Sequence, residues 1–78
     1  MSLVDVRRRL LKLMKEVDMA VKDLDRVAER VEEQGLLFRA DELRDIKEGL
    51  NDIRIELGRT ADMLRHIERE LSRGHEKG

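Results

Sequence analysis

Leucine recurs every seven residues at positions 36, 43, 50, 57, 64 and 71, and this interval constrains the fold more than any other feature of the chain. The first half repeats the interval with Leu3, Leu10, Val17, Leu24 and Val31. Seven residues make about two turns of an α-helix, so apolar residues at this spacing form a stripe along one helix face. The sequence therefore predicts amphipathic helices that pack along their lengths.

The composition also favours helices over strands. Charged residues make up 45% of the 78 residues, aromatic residues make up 1%, and proline is absent. Strands prefer aromatic and β-branched residues, whereas a helix accommodates a wide charged face. We expect a single all-α domain, close to the length at which one hydrophobic core only just stabilises a fold.

The heptad repeat slips near the middle of the chain, because Val31 and Leu36 are five residues apart instead of seven. Gly35 lies inside the slip, and glycine readily adopts the left-handed conformation that ends a helix. A hairpin turn at this point brings both apolar stripes together. The predicted elements are helix one at about 3–34, a turn at 35–36, helix two at about 37–72 and a frayed polar tail at 73–78.

The start of helix one carries a capping signal. Ser2 is followed three residues later by Asp5, a spacing at which each side chain can bond to the other residue's backbone N–H. Helix two lacks an equivalent signal at residues 36–38, and Asp41 is an alternative first residue.

Helix one has an apolar stripe that is too wide for a single neighbour. With Leu3 and Leu36 at heptad position a, helix one is mostly apolar at positions a and d, and position e adds Met14, Val21 and Ala28, as in a helix that contacts two others. We therefore expect an antiparallel two-helix hairpin that assembles into a homodimeric four-helix bundle. The residues expected to carry this contact, called here the assembly seam, are Leu10, Leu13, Val17, Leu24, Leu43, Ile46, Leu50, Ile53, Leu57, Leu64 and Ile67.

Residues with catalytic or metal-binding chemistry are missing from these inward positions. None of the 18 acidic residues falls at position a or d, and the chain has no cysteine. His66 is at an outward position with Asp62 four residues before it, and two ligands on a solvated face make a weak metal site. His75 lies in the polar tail. We expect a non-enzymatic protein with no catalytic residues, cofactor or metal.

The outward face of helix one carries a stripe of positive charge, although the whole chain has a formal net charge of −1. Two interpretations stay open. The cations are either a solvated face paired with nearby acids, such as Asp18 with Lys22 and Asp23 with Arg26, or they contact nucleic-acid phosphates. The residues of this basic stripe are Arg8, Lys12, Lys15, Met19, Lys22 and Arg26.

Three apolar residues fall outside the assembly seam. Leu37 and Phe38 flank the turn, where we expect them to cover the end of the bundle. Ile55 faces outward on helix two, and single exposed apolar residues of this kind are common.

The chain has no stretch of about 20 apolar residues that could cross a membrane, and residues 1–11 lack the apolar core of a signal peptide. We expect a cytoplasmic protein with no membrane association. The expected function is a non-catalytic oligomerisation or protein-interaction module. Its partner is a second copy of the chain or another helical protein. The alternative is an RNA-binding hairpin dimer that uses the basic stripe.

Overall fold

The computed structural model describes the backbone of residues 2–77 and the side chains of residues 2–73. Over this range the chain forms two helices, α1 (Leu3–Glu33) and α2 (Leu37–Lys77), which pack against each other as a hairpin. The molecule is a rod with principal extents of 66 × 15 × 14 Å. The predicted all-α hairpin is confirmed.

The N-terminus of α1 is closed by the predicted capping box. The Ser2 hydroxyl accepts a hydrogen bond from the backbone N–H of Asp5 at 3.3 Å, and the Ser2 N–H donates to the Asp5 carboxylate at 3.3 Å. Two backbone N–H groups that the helix leaves without partners are thereby satisfied. A cap of this kind contributes about 1 kcal/mol to helix stability.

Gly35 makes the turn between the helices, as the sequence predicts, with a left-handed φ of 84°. The backbone N–H of Gly35 donates to the carbonyl of Glu32 at 2.9 Å, and that of Leu36 donates to the carbonyl of Val31 at 3.1 Å. These two bonds form a Schellman motif, which satisfies the last carbonyls of α1. Because any side chain at position 35 would be strained at this φ, glycine is the residue that permits so short a connection.

Helix α2 begins at Leu37 and continues to Lys77, five residues beyond the predicted end at 72. The alternative start at Asp41 is wrong, because the helix already includes the preceding turn. The predicted polar tail begins at Arg73, and the side chains of residues 74–78 lie outside the part of the chain that the structure describes.

Small side chains at heptad position e form the buried contact between the helices. Within residues 2–73, the buried apolar residues are Ala28, Ala40 and Ala61, with 2%, 0% and 4% of their surface exposed. Gly58, at position b, adds a fourth small residue to the contact, and a Cβ on it would lie 3.4 Å from the terminal methyl of Met14. Small residues allow two helix backbones to approach closely, which leaves little apolar area to bury.

Ion pairs join the two helices beside this contact, at heptad positions b and e. In the range 2–73 the cross-helix pairs are Arg7–Glu68, Asp18–Arg54, Asp25–Lys47 and Glu32–Arg44. The two residue numbers of each pair add up to a nearly constant value, between 72 and 76. All four pairs therefore correspond to one alignment of the two antiparallel helices. Exposed ion pairs add little to stability, but they disfavour other alignments of the helices.

Candidate assembly face

Large aliphatic side chains line the side of the hairpin that neither helix covers. Their exposed fractions are 45% for Leu13, 42% for Val27, 54% for Ile46, 51% for Ile53 and 42% for Ile67. All five occupy heptad position d, so they point to one side of the hairpin. We call this surface, formed by the d positions of α1 and α2, the open face.

The register of the hairpin arranges the open face in layers, each with one residue from α1 and one from α2. The cross-helix pairs place Ala20 level with Ile53, and Val27 level with Ile46. Leu13 is level with Thr60, whose hydroxyl donates to the carbonyl of Glu56 at 2.9 Å, a bond that threonine commonly makes within a helix. Since this hydroxyl is already satisfied, Thr60 does not require water on the open face.

Two shallow depressions lie on the open face. One has a volume of about 290 Å³ and is lined by Ile53, Leu57 and Thr60 with the stems of Asp52 and Glu56. The other has a volume of about 240 Å³ and is lined by Leu13 together with Arg9, Lys12 and Glu16. Small-molecule sites enclose most of their ligand, whereas these depressions are wide and apolar at the base. They therefore differ in shape from small-molecule sites.

The predicted assembly seam divides into two groups in the structure. The residues at position a are half-buried between the helix contact and the open face: Leu10, Val17, Leu24, Leu43, Leu50, Leu57 and Leu64. Those at position d are exposed on the open face: Leu13, Ile46, Ile53 and Ile67. Both groups therefore keep surface available to a second helix pair.

The basic stripe lies on the outer surface of α1, and one of its residues, Lys12, also borders a depression of the open face. All six of its residues are exposed, and Arg26 pairs with Asp23 at 3.9 Å, as predicted. Asp18 pairs with Arg54 across the hairpin, so the predicted pairing of Asp18 with Lys22 is wrong. Among residues 2–73, no carboxylate lies within ion-pair distance of the other four cations, which are Arg8, Lys12, Lys15 and Lys22.

The apolar residues outside the assembly seam are also exposed. Leu37 is 60% and Phe38 is 75% exposed beside the turn, and the guanidinium of Arg39 lies 5.9 Å from the centre of the Phe38 ring. Ile55 is 50% exposed on the outer surface of α2. Within one hairpin, the two residues beside the turn leave the end of the rod largely open.

Hydrogen bonds within the cross-helix ion pairs raise the pKa values of two arginines. The hydrogen bond to Glu68 raises the pKa of Arg7 above its ordinary value, and the hydrogen bond to Glu32 does the same for the pKa of Arg44. Because these pKa values are raised in the folded state, the stabilisation is present at all lower pH values and is lost only in strong alkali. Both guanidinium groups therefore stay charged throughout the physiological pH range.

The cross-helix ion pairs were not predicted from the sequence. A signal for them is present at heptad positions b and e. Asp18, Asp25 and Glu32 place acids on α1, and α2 supplies Arg44, Lys47 and Arg54 at matching levels in antiparallel order. Complementary charges at fixed heptad positions are a known determinant of how helices pair.

Two further properties concern other kinds of site. Neither helix, over the residues that the structure describes, has a segment that is long and apolar enough to cross a membrane. In the same residues, no three histidine, cysteine or acidic side chains come together as metal ligands. Comparison of the chain with protein-family models, with curated proteins and with solved structures gives no match.

Proposed function

We propose that the chain is a non-catalytic oligomerisation module, in which two hairpins pair through their open faces to form a homodimeric four-helix bundle. One observation carries this proposal: among residues 2–73, the hairpin buries alanines and no large apolar side chain. A core of three alanines provides little hydrophobic stabilisation, since burial contributes roughly 25 cal/mol per Å² of apolar surface. The leucines and isoleucines that could provide more remain at least partly exposed.

The total accessible surface supports the same proposal. The chain exposes 6450 Å², whereas a compact protein of its mass, 9.2 kDa, exposes roughly 4,900 Å². A stable interface removes about 800 Å² from each partner. The hairpin thus has enough surplus surface for a contact of ordinary size, and the most apolar part of that surplus is the open face.

A second copy of the chain is the simplest occupant of the open face. A twofold dimer brings the same surface from both copies together, and no other protein is required. Four helices then enclose the d residues in the centre of the bundle, while the charged outer positions stay in water. Because the chain has no cysteine, this assembly needs no oxidising environment, and we propose that it works in the cytoplasm.

The solution mass tests this function. Light scattering or sedimentation equilibrium over a range of concentrations should give twice the chain mass of 9.2 kDa. Circular dichroism of the same samples should show a mostly helical chain whose thermal midpoint rises with concentration. A folded, helical monomer at every concentration would contradict the proposal. A chain that folds only when another protein is added would replace the homodimer with a heteromeric assembly.

Nucleic-acid binding is the second candidate function. The observation in its favour is that Arg8, Lys12, Lys15 and Lys22 are exposed and lack a carboxylate partner among residues 2–73. Phosphate contacts would make the affinity fall steeply with salt. Changing Lys15 and Lys22 to Glu should then abolish RNA or DNA binding measured by fluorescence anisotropy. An unmodified chain that binds neither nucleic acid at low salt would rule this function out.

A further inference from the structure

We infer that the second copy lies antiparallel on the open face, so that its turn lies beside the start of α1 in the first copy. This inference rests on the proposed function, because it specifies how the two hairpins are oriented. The alternative is a parallel dimer, in which the two turns lie side by side.

The two ends of the hairpin carry opposite charge. The terminal third, residues 2–12 and 61–73, has seven Lys or Arg against four Asp or Glu, a formal charge of +3. The third next to the turn, residues 24–49, has five Lys or Arg against eight Asp or Glu, a formal charge of −3. The middle third, residues 13–23 and 50–60, is nearly neutral, with four against five. Each hairpin is therefore a rod with a positive and a negative end.

Orientation decides whether these ends attract or repel each other. In a parallel dimer the +3 ends adjoin each other and so do the −3 ends, whereas in an antiparallel dimer each positive end adjoins a negative one. Helices packed in a bundle are 8–10 Å apart, about one Debye length at 0.1 M salt, so much of this interaction survives screening. The charge distribution thus favours the antiparallel dimer.

The polar end of the open face favours the same orientation. After the layer of Val27 and Ile46, the next d positions toward the turn are Gln34 and Arg39. Arg39 is exposed and pairs with Glu42 at 2.7 Å. A parallel dimer would bring two Arg39 side chains to the same level at the end of the bundle. In the antiparallel dimer these arginines lie at opposite ends, about 50 Å apart along the axis.

The apolar layers also match when the copies are antiparallel. The layers at Val6, Leu13, Ala20 and Val27 are evenly spaced along α1, so reversing one copy places each layer opposite another. The layer that contains Ala20 then faces the layer that contains Leu13 of the second copy, and a small residue lies opposite a large one. By the same reversal, Ile46 meets Ile67 of the second copy.

A pair of cysteines tests the orientation, and the chain has no cysteine of its own to interfere. In the variant Ile46→Cys with Ile67→Cys, the two thiols of one chain are roughly 32 Å apart along α2 and cannot form an internal disulfide. Mild oxidation of the antiparallel dimer joins residue 46 of one copy to residue 67 of the other. Oxidation of a parallel dimer instead joins 46 to 46 and 67 to 67. Mass spectrometry of the cross-linked peptides distinguishes the two patterns.

Spin labels provide a second measurement that leaves the open face intact. Lys15 and Glu29 are both exposed and occupy the same outward heptad position, so each is replaced by a labelled cysteine in a separate variant. In the antiparallel dimer, position 15 lies near the middle of the bundle and position 29 near its end. The distance between the two labels of a dimer should therefore be at least about 10 Å longer at position 29 than at position 15.

The outcomes separate this inference from the proposed function. A 46–67 cross-link and a longer distance at position 29 support the antiparallel dimer. A dimer with 46–46 and 67–67 cross-links and equal label distances at the two positions overturns the orientation and leaves the oligomerisation module standing. Labelled variants that remain monomeric, like the unmodified chain, overturn both.

Discussion

The two sides of each helix differ in the size of the side chains they carry. On the side that faces the other helix of the hairpin, alanines and a glycine bring the backbones together, and ion pairs flank the contact. On the open face, leucine, valine and isoleucine stand about half exposed. The contact within the hairpin therefore buries little apolar surface and contributes little to stability. The larger apolar residues, which could contribute more, are exposed on the open face. This difference is the basis of the proposal that a single hairpin is half of the stable unit.

Replacing Ile53 on the open face should have the largest effect on assembly of the dimer. Ile53 on the open face and Ile55 on the outer surface are 51% and 50% exposed, two residues apart in the same helix. Ile53→Asp should raise the dissociation constant of the dimer by about a thousandfold or more, because an unpaired carboxylate would lie in a dry contact. Ile55→Asp should leave it nearly unchanged. Sedimentation velocity of both variants makes the comparison, and equal losses of assembly would count against the open face.

Enlarging a residue on the closed side, the side of each helix that faces the other helix of the hairpin, should destabilise the hairpin itself. Ala40 is fully buried, and a leucine in its place would push the helices apart. We expect Ala40→Leu to reduce the free energy of unfolding by about 1–3 kcal/mol. Met19→Leu, at a site that is 65% exposed on the outer surface, is the control and should change little. Urea denaturation measures both, and unchanged stability in Ala40→Leu would show that the helices are not closely packed there.

Two glycines of α2 differ in the space around them, and alanine at each position should change stability by a different amount. A Cβ at Gly49 meets nothing within 4 Å, whereas a Cβ at Gly58 lies 3.4 Å from the terminal methyl of Met14. Gly49→Ala should stabilise the protein by about 0.5–1 kcal/mol, because alanine is the better helix former. Gly58→Ala should give a smaller gain, since Met14 has to move. Thermal denaturation at fixed concentration compares the two, and a loss of stability in Gly49→Ala alone would contradict the space seen around it.

Removing one of the cross-helix ion pairs should have the smallest effect on stability. Lys47 donates to Asp25 at 2.8 Å, with 28% and 50% of their side chains exposed. We expect Lys47→Met to cost about 0.5 kcal/mol or less, since partly exposed ion pairs gain little over hydration. Denaturation at low and high salt checks this value, and a cost several times larger would mean that the ion pair holds the hairpin together.

The sequence was sufficient to predict the hairpin because its signals are local. Ser2 and Asp5 cap α1 through bonds to their own backbone neighbours, and Gly35 makes the turn through its own φ. The heptad spacing likewise depends only on the geometry of a helix. Each of these signals acts within a few residues, so no knowledge of the tertiary contacts is needed.

The division between the closed side and the open face could not be predicted in the same way. Positions d and e both adjoin position a on a helix, and both are mostly apolar on α1, so hydrophobicity alone leaves open which of them meets α2. In the structure the smaller residue faces α2: Ala28 at position e is 2% exposed, whereas Val27 at position d is 42% exposed. A comparison of side-chain volumes at the two positions, together with the complementary charges at b and e, would have indicated the answer.

Isoleucine methyl groups offer the most direct test that a second copy covers the open face. The chain has four isoleucines, of which Ile46, Ile53 and Ile67 lie on the open face and Ile55 lies on the outer surface as an internal control. In a mixture of methyl-labelled and unlabelled chains, isotope-filtered NMR detects contacts between copies alone. We expect contacts between copies at the three open-face methyls and none at Ile55. Contacts at Ile55 alone, or at no isoleucine in a sample of confirmed dimer mass, would contradict the account.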